Sequence, residues 1–477
     1  MKMRKLRSFA CASAIMLTSM LLPTLQGSAE GGEMLGYDIS GMIVYNGSQI
    51  SYYLEEDQTA SIVSCGSDLS GDVEIPATIE DRPVSKIAES AFYGIKGLKS
   101  VTLPKTVHTI ENGAFYECTA LTDITLSEDL RTIGESAFFG CTALTAIDIP
   151  DHVMSIPESC FSGCTALENV QFPDDLISVG ASAFYNTKCQ KELVFPDNLN
   201  TLGEMAFAYC TGIETVKFSA NLINLDNYVF DGCSALQSIE VSADNAAFCS
   251  EDGVLFDKGM TKLVKYPAAK KDTKYTVPAG VTALADWSFI GATNLEEIAL
   301  SNIRTFGEET FYQCSSLKSI TLPEELSELP SAIFGYCESL TDVTIPAHCS
   351  KIGDYAFMNC TNLKKLTVPA TVTEIGKFSF GFAYNEKNEA MEQMKGFRLY
   401  TEAGSKAASY AKAGKLKYRT DSKAWLVVLL ILAACAVAGL IAFLVYRKSS
   451  VAYVGAGPNK GQVISKKKKS TKGENEK

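Results

Sequence analysis

Histidine is almost missing from this chain: there are three in 477 residues, His108, His152 and His348. Imidazole is the side chain best suited to proton transfer near neutral pH, so acid–base chemistry built on it has little material. His152 and His348 each stand two residues after a proline, in what reads as an exposed turn. The chain also has no HExxH segment, no phosphate-cradling glycine loop and no nucleophile elbow. Its cysteines form no paired CxxC motif, and His348-Cys349 is a lone Cys–His pair with no second pair near it, which leaves out the usual zinc arrangements. No catalytic residue, metal or cofactor is expected, and the chain is read as a non-enzyme.

Positive charge is scarce between the two ends. Lys2, Arg4, Lys5 and Arg7 precede an apolar stretch from Phe9 to Leu22, then Pro23 and the small residues Gly27, Ser28 and Ala29. That order is a secretory leader. At the other end, Ala424 to Tyr446 is a run without charge, followed by Arg447 and Lys448. At ~1.5 Å per residue such a run spans a bilayer. The leader directs the intervening part outside the cell and leaves Arg447 to Lys477 inside. That tail has nine cations against Glu474 and Glu476, and removing its +7 and the leader's +4 from the whole-chain charge of −12 leaves −23 elsewhere. An exterior of that sign excludes nucleic acid as a main partner.

Against these absences stands one dominant presence, a repeat. Phenylalanines recur every 23 residues at 92, 115, 138, 161, 184, 207 and 230, then at 289, 311, 334, 357 and 380 after one interruption, with only the step from 289 to 311 one residue short. A representative unit runs Ala137-Phe138-Phe139-Gly140-Cys141-Thr142-Ala143-Leu144, then Ile147-Asp148-Ile149-Pro150 and Val153 to Ile156. The spacing of Ala, Phe, Cys and Leu predicts a short helical turn with one side buried. Ile147 and Ile149 flank a polar residue, the pattern of a strand with one face inward. Pro150 ends that strand because it has no N–H for the next rung. A single unit has nowhere to bury its apolar side, whereas a stack buries every unit in one continuous core. The fold class is therefore a β-rich repeat solenoid with short helical turns, on the order of 55–60 Å long at ~4.8 Å per coil, plus one C-terminal transmembrane helix.

This unit resembles the leucine-rich repeats of BspA-like surface proteins, the 23-residue Treponema pallidum type, over about Asp72 to Ile375. Ile75-Pro76 with Val84 and Ile87 is similar to the family's opening half-repeat, after a β-rich cap around Ile50 to Cys65. Phe397 to Tyr400 with Gly404 to Ala411 is similar to the strand and helix that close such solenoids. The resemblance implies a cell-surface protein that binds extracellular protein or glycoprotein ligands. A single-pass receptor or scaffold, coupling an external ligand to a cytoplasmic partner through the basic tail, is the alternative.

The expected organisation is a leader over 1–29, a β-rich cap and first half-repeat over 30–86, repeats over 87–242, an irregular insertion over 243–283, and repeats again over 284–380. A C-terminal cap and juxtamembrane stalk (381–423), a transmembrane helix (424–446) and a basic cytoplasmic tail (447–477) complete it. Within the insertion, Gly253 to Asp257 and Lys262 to Pro267 flank Lys258-Gly259-Met260-Thr261 and read as a hairpin, either a modified coil or a binding protrusion. Eight cysteines (118, 141, 164, 210, 233, 314, 337 and 360) share one column and stack inward. Their parallel side-chain directions suit disulfides poorly, so they read as small buried hydrophobes; pairing among Cys65, Cys189, Cys249 and Cys349 stays open. Two stripes are candidate ligand surfaces. One is aromatic, one residue after the repeat Phe: Tyr93, Tyr116, Phe139, Tyr185 and Tyr312. The other is acidic and follows the strand-ending position: Asp151, Asp174, Asp175, Glu324 and Glu325. Each also has a structural reading, as packing between coils and as a solvated, edge-protecting turn.

Overall fold

The computed structural model describes residues 39–45 and 47–421. The leader, the apolar run at 424–446 and the basic tail lie outside the described residues. Among the described residues no helix is long and apolar enough to cross a membrane. They form a β-solenoid of about 16 turns, nearly all sheet, with the single helix Lys406–Ala413.

Each coil has three sides. The first is a three-residue strand whose middle side chain alone is buried, as in Ala146–Asp148 and Asn169–Gln171. It pairs in parallel with its counterpart one repeat on, Ile147 opposite Val170. The proline corner turns the chain into a two-residue strand such as Ser155–Ile156, which pairs with Ser178–Val179. Equal repeat lengths keep both ladders in register, so every buried column stacks on itself.

The third side carries the phenylalanines and corrects the expected helical turn. Residues two before and two after the repeat Phe take positive φ, for example Ser136 (54°) and Gly140 (70°) around Phe138, and Met205 (55°) and Tyr209 (61°) around Phe207. A left-handed residue on each flank cannot continue a right-handed helix. The segment is a series of single turns, such as Phe139 N–H to Ser136 O at 3.1 Å, tied from coil to coil: the N–H groups of Phe92, Phe115, Phe138 and Phe161 donate to the carbonyls 22 residues on at 2.7 to 2.9 Å. Ala, Phe, Cys and Leu still point inward, as their spacing required. The Phe rings form a stacked ladder with centroids 4.9 to 5.3 Å apart from Phe92 to Phe161.

Both ends are capped. At the start, Gly41–Tyr45, Ser48–Leu54 and Ala60–Cys65 make an antiparallel meander whose last strand joins the solenoid ladder at Arg82–Ile87. At the end, Arg398–Glu402 adds a parallel strand to Lys365–Thr367. The helix Lys406–Ala413 then lays Ala407, Ala408 and Ala411 over the last coil, with Ser405 Oγ accepting from the Ala408 N–H.

The insertion contains the expected hairpin: Val254–Asp257 pairs antiparallel with Lys262–Lys265. It is built into the solenoid, with Val254, Leu255 and Phe256 fully buried, and Lys262 and Leu263 continue the two-residue ladder to Ala283 and Leu284. Tyr266 takes the slot of a repeat Phe 23 residues before Phe289 and stacks on it at 4.9 Å. Tyr275, Val277 and Pro278 then follow at the usual offsets, so the repeat resumes earlier than the Phe register indicates. The Lys265 ammonium, in the column usually held by Ala, is buried and paired with the Asp231 carboxylate, and it donates to the Trp287 carbonyl at 3.2 Å.

Candidate ligand surface

Glycine recurs at the corner after the two-residue strand because the coils approach too closely there for a side chain. A Cβ at Gly134 would lie 2.4 Å from the Asn112 backbone N. Its N–H reaches back to the preceding coil, as Gly134 to Ile110 O (2.8 Å) and Gly180 to Ile156 O (2.7 Å). Pro157 and Pro330 occupy this corner in two coils, and proline has no N–H to give. The two-residue ladder is interrupted at both: Thr132–Ile133 does not pair with Ser155–Ile156, nor Thr305–Phe306 with Glu328–Leu329. At the first of these boundaries the three-residue ladder is interrupted too, between Asp123–Thr125 and Ala146–Asp148.

Two open grooves mark that double seam. One, of about 580 Å³, is lined by Arg131, Ile133, Met154 and Pro157; the other, of about 570 Å³, by Asp123, Glu128, Asp148 and Asn169. Asp151 and His152 border both, so the corner is a ridge between them. Next to it runs a column missed in the sequence. Met154, Ile177 and Ile223 are 53, 45 and 43% exposed, on rungs continued through Asn200 by hydrogen bonds of 2.8 to 3.2 Å. Elsewhere this column is polar, with His108, Arg131, Thr282, Arg304, Ser327, Ser350 and Thr373. An apolar residue in a solvent-facing column was the available signal.

The structure divides the acidic stripe. Asp151, Asp174, Asp175 and Asp197 are exposed on three successive coils, two or three positions before the Met154 column. Glu324 and Glu325 are exposed on a coil beyond the insertion and do not join them. Part of the stripe caps turns: Asn198 Nδ2 donates to the Asp174 carbonyl at 3.1 Å, and His348 Nδ1 lies 3.2 Å from that of Glu324.

The aromatic stripe falls into three places. Tyr93, Tyr116 and Phe139 stack face to face at 5.1 and 4.7 Å, with Tyr93 44% exposed. Burial, then Glu117 and Tyr93, raises the Tyr116 phenol above its ordinary pKa. Buried Ser162 ends the stack, and Tyr185 instead meets Tyr209 edge-on at 5.4 Å. Tyr312 is buried against Ala332 and Met358. It packs within the protein and leaves the ligand-surface set.

The cysteine column is inward and reduced, and the described cysteines are all free thiols. Each column thiol donates to the carbonyl of the Phe in the preceding coil, as Cys118 to Phe92 O at 3.0 Å and Cys141 to Phe115 O at 3.2 Å. Burial pushes the thiols of Cys118, Cys314, Cys337 and Cys360 up, which withholds the reactive thiolate. Among the described residues no group of three or more His, Cys, Asp or Glu is arranged to hold a metal ion.

Phased coils with stacked Phe and Leu columns, closed at both ends, define a leucine-rich-repeat solenoid. The chain belongs to the BspA type leucine rich repeat region family, whose sequence profile matches residues 85–211, 155–251 and 268–387. No curated protein sequence matches the chain. Among solved structures it is similar to a leucine rich cell surface protein of Faecalibacterium prausnitzii, at 25% identity and a TM-score of 0.55, covering 72% of this chain and 96% of that one. The pneumococcal vaccine antigen PcpA shares the fold at 20% identity and a TM-score of 0.56, covering 80% of this chain and 99% of that one.

Proposed function

We propose that the chain is a cell-surface binding protein: the solenoid captures an extracellular protein or glycoprotein, and residues 424–446 hold it in the membrane. The observation that carries the binding role is the adjacency, on the coils of Met154 and Ile177, of an exposed apolar column to the carboxylates of Asp151, Asp174 and Asp175, with Asp197 and Ile223 extending the two rows on the following coils. Apolar side chains kept in water beside a single-sign charge row favour a partner that is apolar at its centre and cationic at its rim. Family membership and the likeness to a cell surface protein support the location, as do the leader and the apolar run. Absent catalytic motifs favour capture over turnover.

The test is a binding screen of the chain against extracellular matrix and mucin glycoproteins, followed by variants at the seam. Met154→Glu with Ile177→Glu, and Asp174→Lys with Asp175→Lys, should each weaken binding at least about tenfold, the ~1.4 kcal/mol scale of one good contact. Salt should weaken the wild type. Unchanged affinity in both variants would remove this surface from the proposal. Deleting residues 447–477 should leave capture intact; loss of attachment on that deletion would favour the receptor reading.

A further inference from the structure

The coil of Phe184 exchanges two columns. Thr187 stands where other coils have the column cysteine, and Gln190 where they have Leu, with Cys189 just before it. Thr187 and Cys189 are buried, as is Cys210 on the next coil. Cys189 Sγ lies 3.7 Å from Cys210 Sγ, and Thr187 Oγ1 sits 3.0 Å from the first sulfur and 3.2 Å from the second. Cys210, like the other column thiols, donates to a Phe carbonyl, that of Phe184 at 3.1 Å, whereas Cys189 stands outside that column and its sulfur faces the Cys210 sulfur. Closing that gap to a bond of ~2.05 Å needs less than ~2 Å of movement.

The same coil is a loosened joint. Asn169–Gln171 and Glu192–Val194 do not pair. Between them the Gln190 amide stands in for a strand, accepting from Val170 N–H at 3.3 Å and donating to Val170 O at 3.2 Å. An open depression of about 290 Å³ lies there, lined by Val170, Gln190 and Val194.

We propose that Cys189 and Cys210 are a redox couple, closed to a disulfide by exchange with a small-molecule disulfide. The Cys189 thiolate attacks that disulfide and expels one thiolate, forming a mixed disulfide. The Cys210 thiolate then attacks Cys189 Sγ and releases the second. Two protein thiols lose two protons and two electrons, and the reagent is reduced to two thiols. Burial makes local opening of the Gln190 joint the gate to the reaction.

The native full-length chain is incubated with oxidised glutathione, quenched in acid, alkylated in denaturant and mapped by mass spectrometry. A Cys189–Cys210 peptide pair lighter by two hydrogens is expected, reversed by dithiothreitol, with the other cysteines alkylated. The oxidised chain should unfold at a higher temperature than the reduced one, and Cys189→Ala should lose that difference. Recovery of both cysteines alkylated, at a glutathione ratio that oxidises a reference dithiol, overturns the proposal. So does a link joining two column cysteines instead; because mapping uses the wild-type chain, a variant that fails to fold leaves this test intact.

Discussion

A Phe inside the ladder, such as Phe138, stacks on its counterparts on both sides, so one truncation removes two ring contacts as well as its own burial. Phe138→Ala should destabilise by about 3–5 kcal/mol, read as a shift in urea midpoint, while Tyr93→Ala, at the open end of its stack, should cost about 1 kcal/mol or less. Gly134→Ala tests close approach in place of burial. Its new Cβ would meet the Asn112 N at 2.4 Å and the Glu111 carbonyl carbon at 2.5 Å. Those are backbone atoms, so the coil must shift, at about 1–3 kcal/mol. At this scale the inward columns were legible because a strict period repeats each environment. Tyr266 was not, because Tyr replaced the Phe and Lys265 the small residue before it, although Tyr275, Val277 and Pro278 still carried the offsets. Tyr312 shows the limit of a column: the same position is half exposed at Tyr93 and buried at 312, where the ring packs on Ala332 and Met358 and lies over Gly335, whose missing side chain leaves it room.

Elements follow from hydrogen-bond supply. The strand-ending Pro was legible for its missing N–H, and Pro157 and Pro330 are the same argument at the next corner, where they stand in for glycine. The turn carrying Phe was misread because spacing reports which side is buried, not the sign of φ, and Ser, Glu, Met and Tyr at left-handed positions give no glycine signal. One of these positions titrates. Glu309 is buried, and desolvation, followed by the charges of Glu308 and Asp231, pushes its carboxyl up to about 8. The folded state therefore holds a proton that the unfolded chain releases near the ordinary value of 4.5. The stabilising effect is complete below that value and is lost as pH rises toward 8, at no more than about 1.4 kcal/mol per pH unit. Glu309→Gln should flatten this loss, so thermal melts of variant and wild type should differ least near pH 4.5 and most at pH 8, with the variant higher. Parallel curves would place the ionisation elsewhere.

Over the whole molecule, stability is close to a sum of coil terms and nearest-neighbour interfaces, so the weakest interface decides where the array divides. The apolar core falls into two clusters that meet at the insertion, one ending at Leu255 and the other beginning at Val254. The Phe ladder runs to Phe230 and resumes at Tyr266 on Phe289. The junction is held by a buried ion pair, Asp231 with Lys265, where Asp231 Oδ2, Tyr266 OH and Ser288 Oγ have no hydrogen-bond partner. Burial keeps the Asp231 carboxyl above its ordinary range even beside the ammonium. Removing one partner strands the other charge, so Asp231→Ala should cost about 3–5 kcal/mol, whereas Asp231→Val with Lys265→Met should return to wild-type stability or exceed it. Hydrogen exchange locates the effect. In the single variant protection should fall first in Val254–Asp257 and Lys262–Lys265, while the rungs around Phe138 stay protected, because their neighbours are unchanged. Uniform loss along the solenoid would mean that the array unfolds as one unit and that the ion pair is no weak joint.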